Sequence, residues 1–286
     1  MRNIFVMAAM LCGIVLSTSC SKSDNSPVNI QPLSNLTKIS ENKIPNSPYT
    51  IATFLTTDSI IVGYNPLYFT IQDTSTRNYV NNANIVLAPL MTEAGSTHHH
   101  SGPTEQPSYS DSARAYKGAF IPLHGAIATY GSLGFTGWRM RMSITINGAQ
   151  YDSVKYDFST KTIKTGTKFV TSVAGNDGLT YYFALINPQQ SSQANGIQNL
   201  EVAFYNSADG NITFNPINDL VIGNFYPYMP DMGHSSPNNI TPTSIGNGHY
   251  KGVVNFTMGG HWTLNFTKIQ KNNVQVIDST ALEVAF

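Results

Sequence analysis

The sequence predicts an all-β protein of two tandem β-sandwich modules, and three observations point there. Charged residues make up only 11% of the chain, while Asn, Ser, Thr, Gly and Tyr abound, a mixture suited to short strands joined by polar turns. Apolar or alternating runs of strand length recur between turn residues, and no stretch holds a helical period. The runs also fall into two series whose landmark residues come in the same order.

The start of the chain belongs to neither module. Met1-Arg2-Asn3 precedes an apolar run over residues 4–16 and then Ser17-Thr18-Ser19-Cys20, the order of a secretory signal with a small-residue cleavage site. That run is too short to span a bilayer. A cysteine directly after small residues resembles a bacterial lipobox, with Leu16 one place further upstream than the pattern has it. The reading makes residues 1–19 a lipoprotein signal peptide and Cys20 an acylated first residue. An unlipidated secretory signal is the alternative. Residues 20–48, rich in Ser, Asn, Lys and Pro, read as a flexible tether. The expected location is the bacterial cell envelope, lipid-anchored to a membrane, with the mature part outside the cytoplasm.

The only two cysteines, Cys12 and Cys20, fall in the signal and at its end, so the modules have neither disulfide nor thiolate. Lys plus Arg and Asp plus Glu both number 16, which leaves no charged face to recruit nucleic acid.

Strand-like runs occupy residues 59–62, 67–72, 84–90, 116–122 and 138–146, and again 180–186, 198–205, 220–224, 250–258, 262–269 and 274–277. Short strands at this spacing argue for immunoglobulin-like sandwiches over residues 49–162 and 163–286. The run ending Pro89-Leu90-Met91 matches that ending Pro227-Tyr228-Met229, and a His-bearing polar loop follows each methionine. Tyr116-Lys117-Gly118 then answers Tyr250-Lys251-Gly252, Phe120 answers Phe256, and Trp138 answers Trp262. A three-residue hairpin loop at Gly259-Gly260-His261 is expected to pair Met258 with Trp262 and Phe256 with Leu264, putting all the apolar residues on one face. Trp138, Met140, Met142, Ile144 and Ile146 alternate with polar residues, which makes those two methionines core residues.

Catalytic signatures do not occur: there is no Gly-x-Ser-x-Gly elbow, phosphate loop, His-Glu-x-x-His or dinucleotide fingerprint. The expectation is a non-enzymatic protein. The sharpest local feature is Tyr228-Met229-Pro230-Asp231-Met232-Gly233-His234, two thioethers and an imidazole in one loop. Soft sulfur with imidazole favours copper, Cu(I) above all, over magnesium or calcium. Met258 and His261 are candidates to complete that set, Met258 reading also as a core residue. The first module offers a weaker set in Met91, His98, His99, His100 and His124, where the histidine run reads also as a solvated tract. His249 reads as surface.

At these residues both modules resemble the YtkA-like family, related to FixH-like domains, small extracytoplasmic β-sandwiches of bacterial envelope proteins linked to metal handling. The second module carries the pattern in Met229, Met232, His234, Gly248, Tyr250, Gly252, Phe256, Met258, Gly260 and Trp262. The first keeps Met91, Tyr116, Gly118, Gly137 and Trp138, has Ala115 where His249 stands, and lacks a second loop methionine. The resemblance implies copper or another soft metal as ligand. Two functions follow as expectations: capture, buffering or delivery of copper, with an envelope protein as metal donor or acceptor, or a structural or adhesive sandwich that binds an envelope protein or glycan.

Overall fold

The computed structural model describes residues 33–161, 163–188 and 196–286; Cys20 and the signal lie outside them. Every regular element among the described residues is a strand, as the composition predicts. No helix among them is long and apolar enough to cross a membrane.

The first sandwich has a sheet ordered Thr37–Lys43, Tyr49–Leu55, Asn65–Asp73, Ala115–Phe120 and Thr104–Ser110. Its facing sheet is built on Gly134–Ile146, with Ala149–Phe158 along one edge and Asn84–Leu87 and Leu90–Thr92 along the other. The two-residue strand His99–His100 adds to Leu90–Thr92. The second sandwich repeats the plan. One sheet runs Val170–Ala174, Thr180–Asn187, Gly196–Ser207, His249–Phe256 and Ile240–Gly246, and the other runs His234–Ser235, Leu220–Met229, His261–Lys271 and Val274–Ala285.

Period-2 alternation places the cores. Trp138, Met140, Met142, Ile144 and Ile146 are buried, while Arg139, Arg141, Ser143 and Thr145 point out. Trp262, Leu264, Phe266 and Ile269 fill the matching place in the second core. Each of these buried side chains contributes about 1.5–3 kcal/mol or more by leaving water.

Three expectations change. Thr37–Lys43, assigned to the tether, is the outer strand of the first sheet; Ile39 packs on the first core and Ile44 is fully buried, so these two apolar residues are anchors. The run at 84–90 is two strands separated by Ala88-Pro89. The segment at Gly259 and Gly260 is an arch between sheets and not a hairpin. His249–Phe256 pairs with Gly196–Ser207 and Ile240–Gly246, whereas His261–Lys271 pairs with Leu220–Met229 and Val274–Ala285. Their apolar residues face one another because the two strands cover the same core from opposite sheets.

The sandwiches share a third, smaller apolar cluster. Tyr64, Ala119 and Ile121 of the first meet Val170, Tyr182, Ala184, Ala203 and Tyr205 of the second. Ser101 N donates to Asn211 O across the seam (2.7 Å).

Candidate metal sites of the two modules

In the second module Leu220–Met229 ends on Met229, which is buried. The chain reverses at once: Met232 N and Gly233 N donate to Met229 O (3.2 and 2.9 Å), and His234 returns opposite Met229. The Ser235 hydroxyl donates to Pro227 O at 2.6 Å and clasps the return. His234 Nδ1 lies 3.0 Å from Ser235 O. A carbonyl only accepts, so Nδ1 carries a proton and, in the neutral ring, Nε2 keeps its lone pair. The His234 ring stands edge-on to Trp262, 5.7 Å between centroids. Trp262 Nε1 donates to Met258 O at 3.1 Å, which fixes the backbone of the arch over the same indole. The Met229 methyl lies where a Cβ on Gly260 would come within 2.2 Å. The His234 ring and the Met258 carbonyl therefore meet Trp262, Met229 reaches Gly260 of the adjoining arch, and the Met258 side chain is 38% exposed at the surface.

Two other predicted residues stand apart. Met232 lies exposed on the turn. His261 precedes Trp262 on its strand and so faces the other side, where its Nε2 meets Glu283 Oε2 at 3.1 Å.

The first module reproduces this construction. Met91 is buried opposite His100 on one side and Trp138 on the other. The Ser101 hydroxyl donates to Pro89 O at 2.8 Å, and His100 Nδ1 lies 2.9 Å from Ser101 O. The His100 ring is edge-on to Trp138 at 5.3 Å. Trp138 Nε1 donates to His124 O at 3.1 Å, so His124 occupies the place of Met258. Its Nδ1 lies 3.1 Å from Gly125 O, and its Nε2 is 2.7 Å from His100 Nε2. Burial, the largest influence, holds the His100 pKa below its ordinary value. His99 alternates to the opposite face from His100, and His98 is exposed in the loop before it.

The equivalence of His124 and Met258 was missed in the sequence, although a signal exists. His100 and His234, Ser101 and Ser235, Tyr116 and Tyr250, Gly118 and Gly252, and His124 and Met258 all sit at one constant spacing along the chain. Among the described residues no three His, Cys, Asp or Glu side chains form a metal-holding group, so any ligand set draws on thioethers or on the imidazole pair.

A second cluster went unforeseen because its members are isolated in sequence. His249, expected at the surface, is half-buried between the modules. Its Nε2 lies 2.7 Å from Glu105 Oε1 and its Nδ1 2.8 Å from Glu201 Oε1. Tyr64 OH donates to Glu105 Oε2 at 3.0 Å and Tyr205 OH to Glu105 Oε1 at 3.3 Å, and Lys251 Nζ stands 3.4 Å from Glu201. The Glu105 hydrogen bond, ahead of the contrary effect of burial, holds the His249 pKa above its usual value. Burial first, then Glu105, pushes both tyrosine hydroxyls up. Glu105, Tyr205 and His249 line a groove of about 760 Å³ between the modules.

No curated protein sequence matches the chain. Among solved structures, the FdeC adhesin of Escherichia coli aligns over 86% of this chain at 13% identity and a TM-score of 0.26. The Yersinia pseudotuberculosis adhesin InvE aligns over 89% at 11% identity and a TM-score of 0.23. The chain spans 66% and 59% of those two structures. The second sandwich, over residues 180–267, matches the YtkA-like family.

Proposed function

We propose that this protein is a non-catalytic lipoprotein of the bacterial envelope that binds copper as Cu(I) at Met229, His234 and Met258, for capture, buffering or delivery to an envelope partner. The carrying observation is that His234 stands edge-on to Trp262, with Nδ1 turned to Ser235 O, while the same indole binds the Met258 carbonyl and the buried Met229 reaches Gly260 in the arch beside it. Thioethers are soft and need no deprotonation, so such a set prefers Cu(I) and keeps its sulfur ligands as pH falls. The YtkA-like match of this module supports the reading. The membrane attachment we assign to acylated Cys20, outside the described residues.

The test is a Cu(I) titration of the protein against a competing chelator, with His234→Gln and Met258→Leu, which keep volume and remove a donor. About one Cu(I) per second module, weakened about tenfold or more in each variant, is expected. Binding that neither variant alters overturns the assignment.

One observation favours an adhesive reading. Ile127, Tyr130 and Leu133 are 72%, 73% and 76% exposed around the turn that enters Gly134–Ile146, an apolar tip suited to a protein or glycan surface. That reading requires metal-free protein to be retained on purified envelope material and Tyr130→Ser/Leu133→Ser to be released.

A further inference from the structure

We propose that the first module carries a separate, harder metal site: a two-imidazole clamp of His100 and His124 that takes a borderline divalent ion of the Cu(II) or Zn(II) class. This does not rest on the Cu(I) reading of the second module. His100 Nδ1 faces Ser101 O at 2.9 Å and His124 Nδ1 faces Gly125 O at 3.1 Å. Both carbonyls can only accept, so both Nδ1 atoms are protonated, and in the neutral rings both Nε2 atoms are bare. Those bare nitrogens stand 2.7 Å apart. Two lone pairs aimed at one another at that distance repel, and a cation between them turns the repulsion into binding.

The backbone contact on the far nitrogen is the support that metal-bound histidines ordinarily have. Bonds of about 2.0–2.1 Å to a tetrahedral ion set the two nitrogens about 3.3 Å apart. The fit therefore needs an opening of only about 0.6 Å by that geometry, and His124 lies at the surface. Imidazole in place of the Met258 thioether moves the preference from Cu(I) toward zinc and cupric ions.

The remaining coordination positions open into a cavity of about 500 Å³ lined also by Thr171, Tyr182 and Asn211 of the second module. Water or a small anionic ligand can complete the ion there. Because Ser101 N is held by Asn211 O, the clamp is set partly by the neighbouring sandwich.

The full-length protein in detergent would be titrated with Co(II), whose four-coordinate form absorbs strongly in the visible, and then with Zn(II) as displacer. About one Co(II) per chain should bind and be displaced by Zn(II). His100→Gln and His124→Gln should each weaken it about tenfold or more. His98→Gln/His99→Gln and His234→Gln/Met258→Leu should leave it unchanged, with thermal midpoints confirming that all variants fold. Absence of saturable binding overturns the proposal, as does binding that survives His124→Gln but is lost with His98 and His99, which marks a solvent-exposed histidine tract. Loss of Cu(I) but not Co(II) binding in the second-module variant separates the fate of this site from that of the thioether site.

Discussion

Gly118 and Gly252 occupy the same place in the two modules for a reason of space. A Cβ on Gly118 would fall 2.5 Å from Glu105 O, and one on Gly252 would fall 2.4 Å from Ile240 O. In both cases the intruding backbone belongs to an edge strand that leans in around a proline, Pro107 or Pro242. Gly252→Ala must push Ile240–Gly246 outward, and overpacking of this kind costs about 1–3 kcal/mol. Gly259→Ala, with nothing within 4 Å, should change stability by less than about 0.5 kcal/mol. Urea unfolding midpoints of the two variants check the contrast, and equal midpoints would remove the steric account. The repeat of Tyr-Lys-Gly was legible in the sequence. Its cause was not, since the neighbour that excludes a side chain lies on a strand with no apolar pattern.

The elements divide along the same line. Strands with one buried face, such as Gly134–Ile146 and His261–Lys271, announce themselves by alternation. Thr37–Lys43, Thr104–Ser110 and Ile240–Gly246 lie at sheet edges, bury little, and in two cases contain proline, as edge strands tolerate. Sequence reasoning passed over them. Register logic grouped the correct residues on either side of Gly259-Gly260 but assigned them to one sheet, because facing a neighbour across a ladder and facing it across a core leave the same pattern of apolar residues. The two-residue returns His99–His100 and His234–Ser235 are too short for any pattern, and their geometry depends on the Ser101 and Ser235 hydroxyls. Ser235→Ala removes a bond worth about 1 kcal/mol. Global stability should hardly move, while amide exchange in the return opposite Met229 should quicken about fivefold, the factor for 1 kcal/mol of local opening. Unchanged exchange there would show that strand pairing alone holds the return.

At the scale of the whole molecule, His249 of the second module joins the first by a short contact to Glu105 and is held by another to Glu201 of its own module. None of the three belongs to a motif, and only the docked sandwiches bring them together. Two carboxylates on the two ring nitrogens require both nitrogens to donate, which describes an imidazolium. Tyr64 and Tyr205 face the same group with hydroxyls pushed well above their usual range, and Lys251 lies beside Glu201, so His249 is the member that titrates near neutrality. Its folded pKa is raised above the ordinary 6.5. A raised pKa means the folded state binds the proton more tightly, so the contribution is complete below about pH 6.5 and is lost as pH rises through the folded value. The His249 side chain is 16% exposed, with Glu105 at 27% and Glu201 at 22%, so partial screening leaves about 1–2 kcal/mol from these charged hydrogen bonds. Urea midpoints for wild type and His249→Gln should differ by that amount at about pH 6 and converge on the alkaline side, because glutamine donates through one nitrogen at every pH. A gap that stays constant with pH would mean that the seam is held by the apolar contacts of Tyr64, Ala119 and Ile121 and not by the charge on His249.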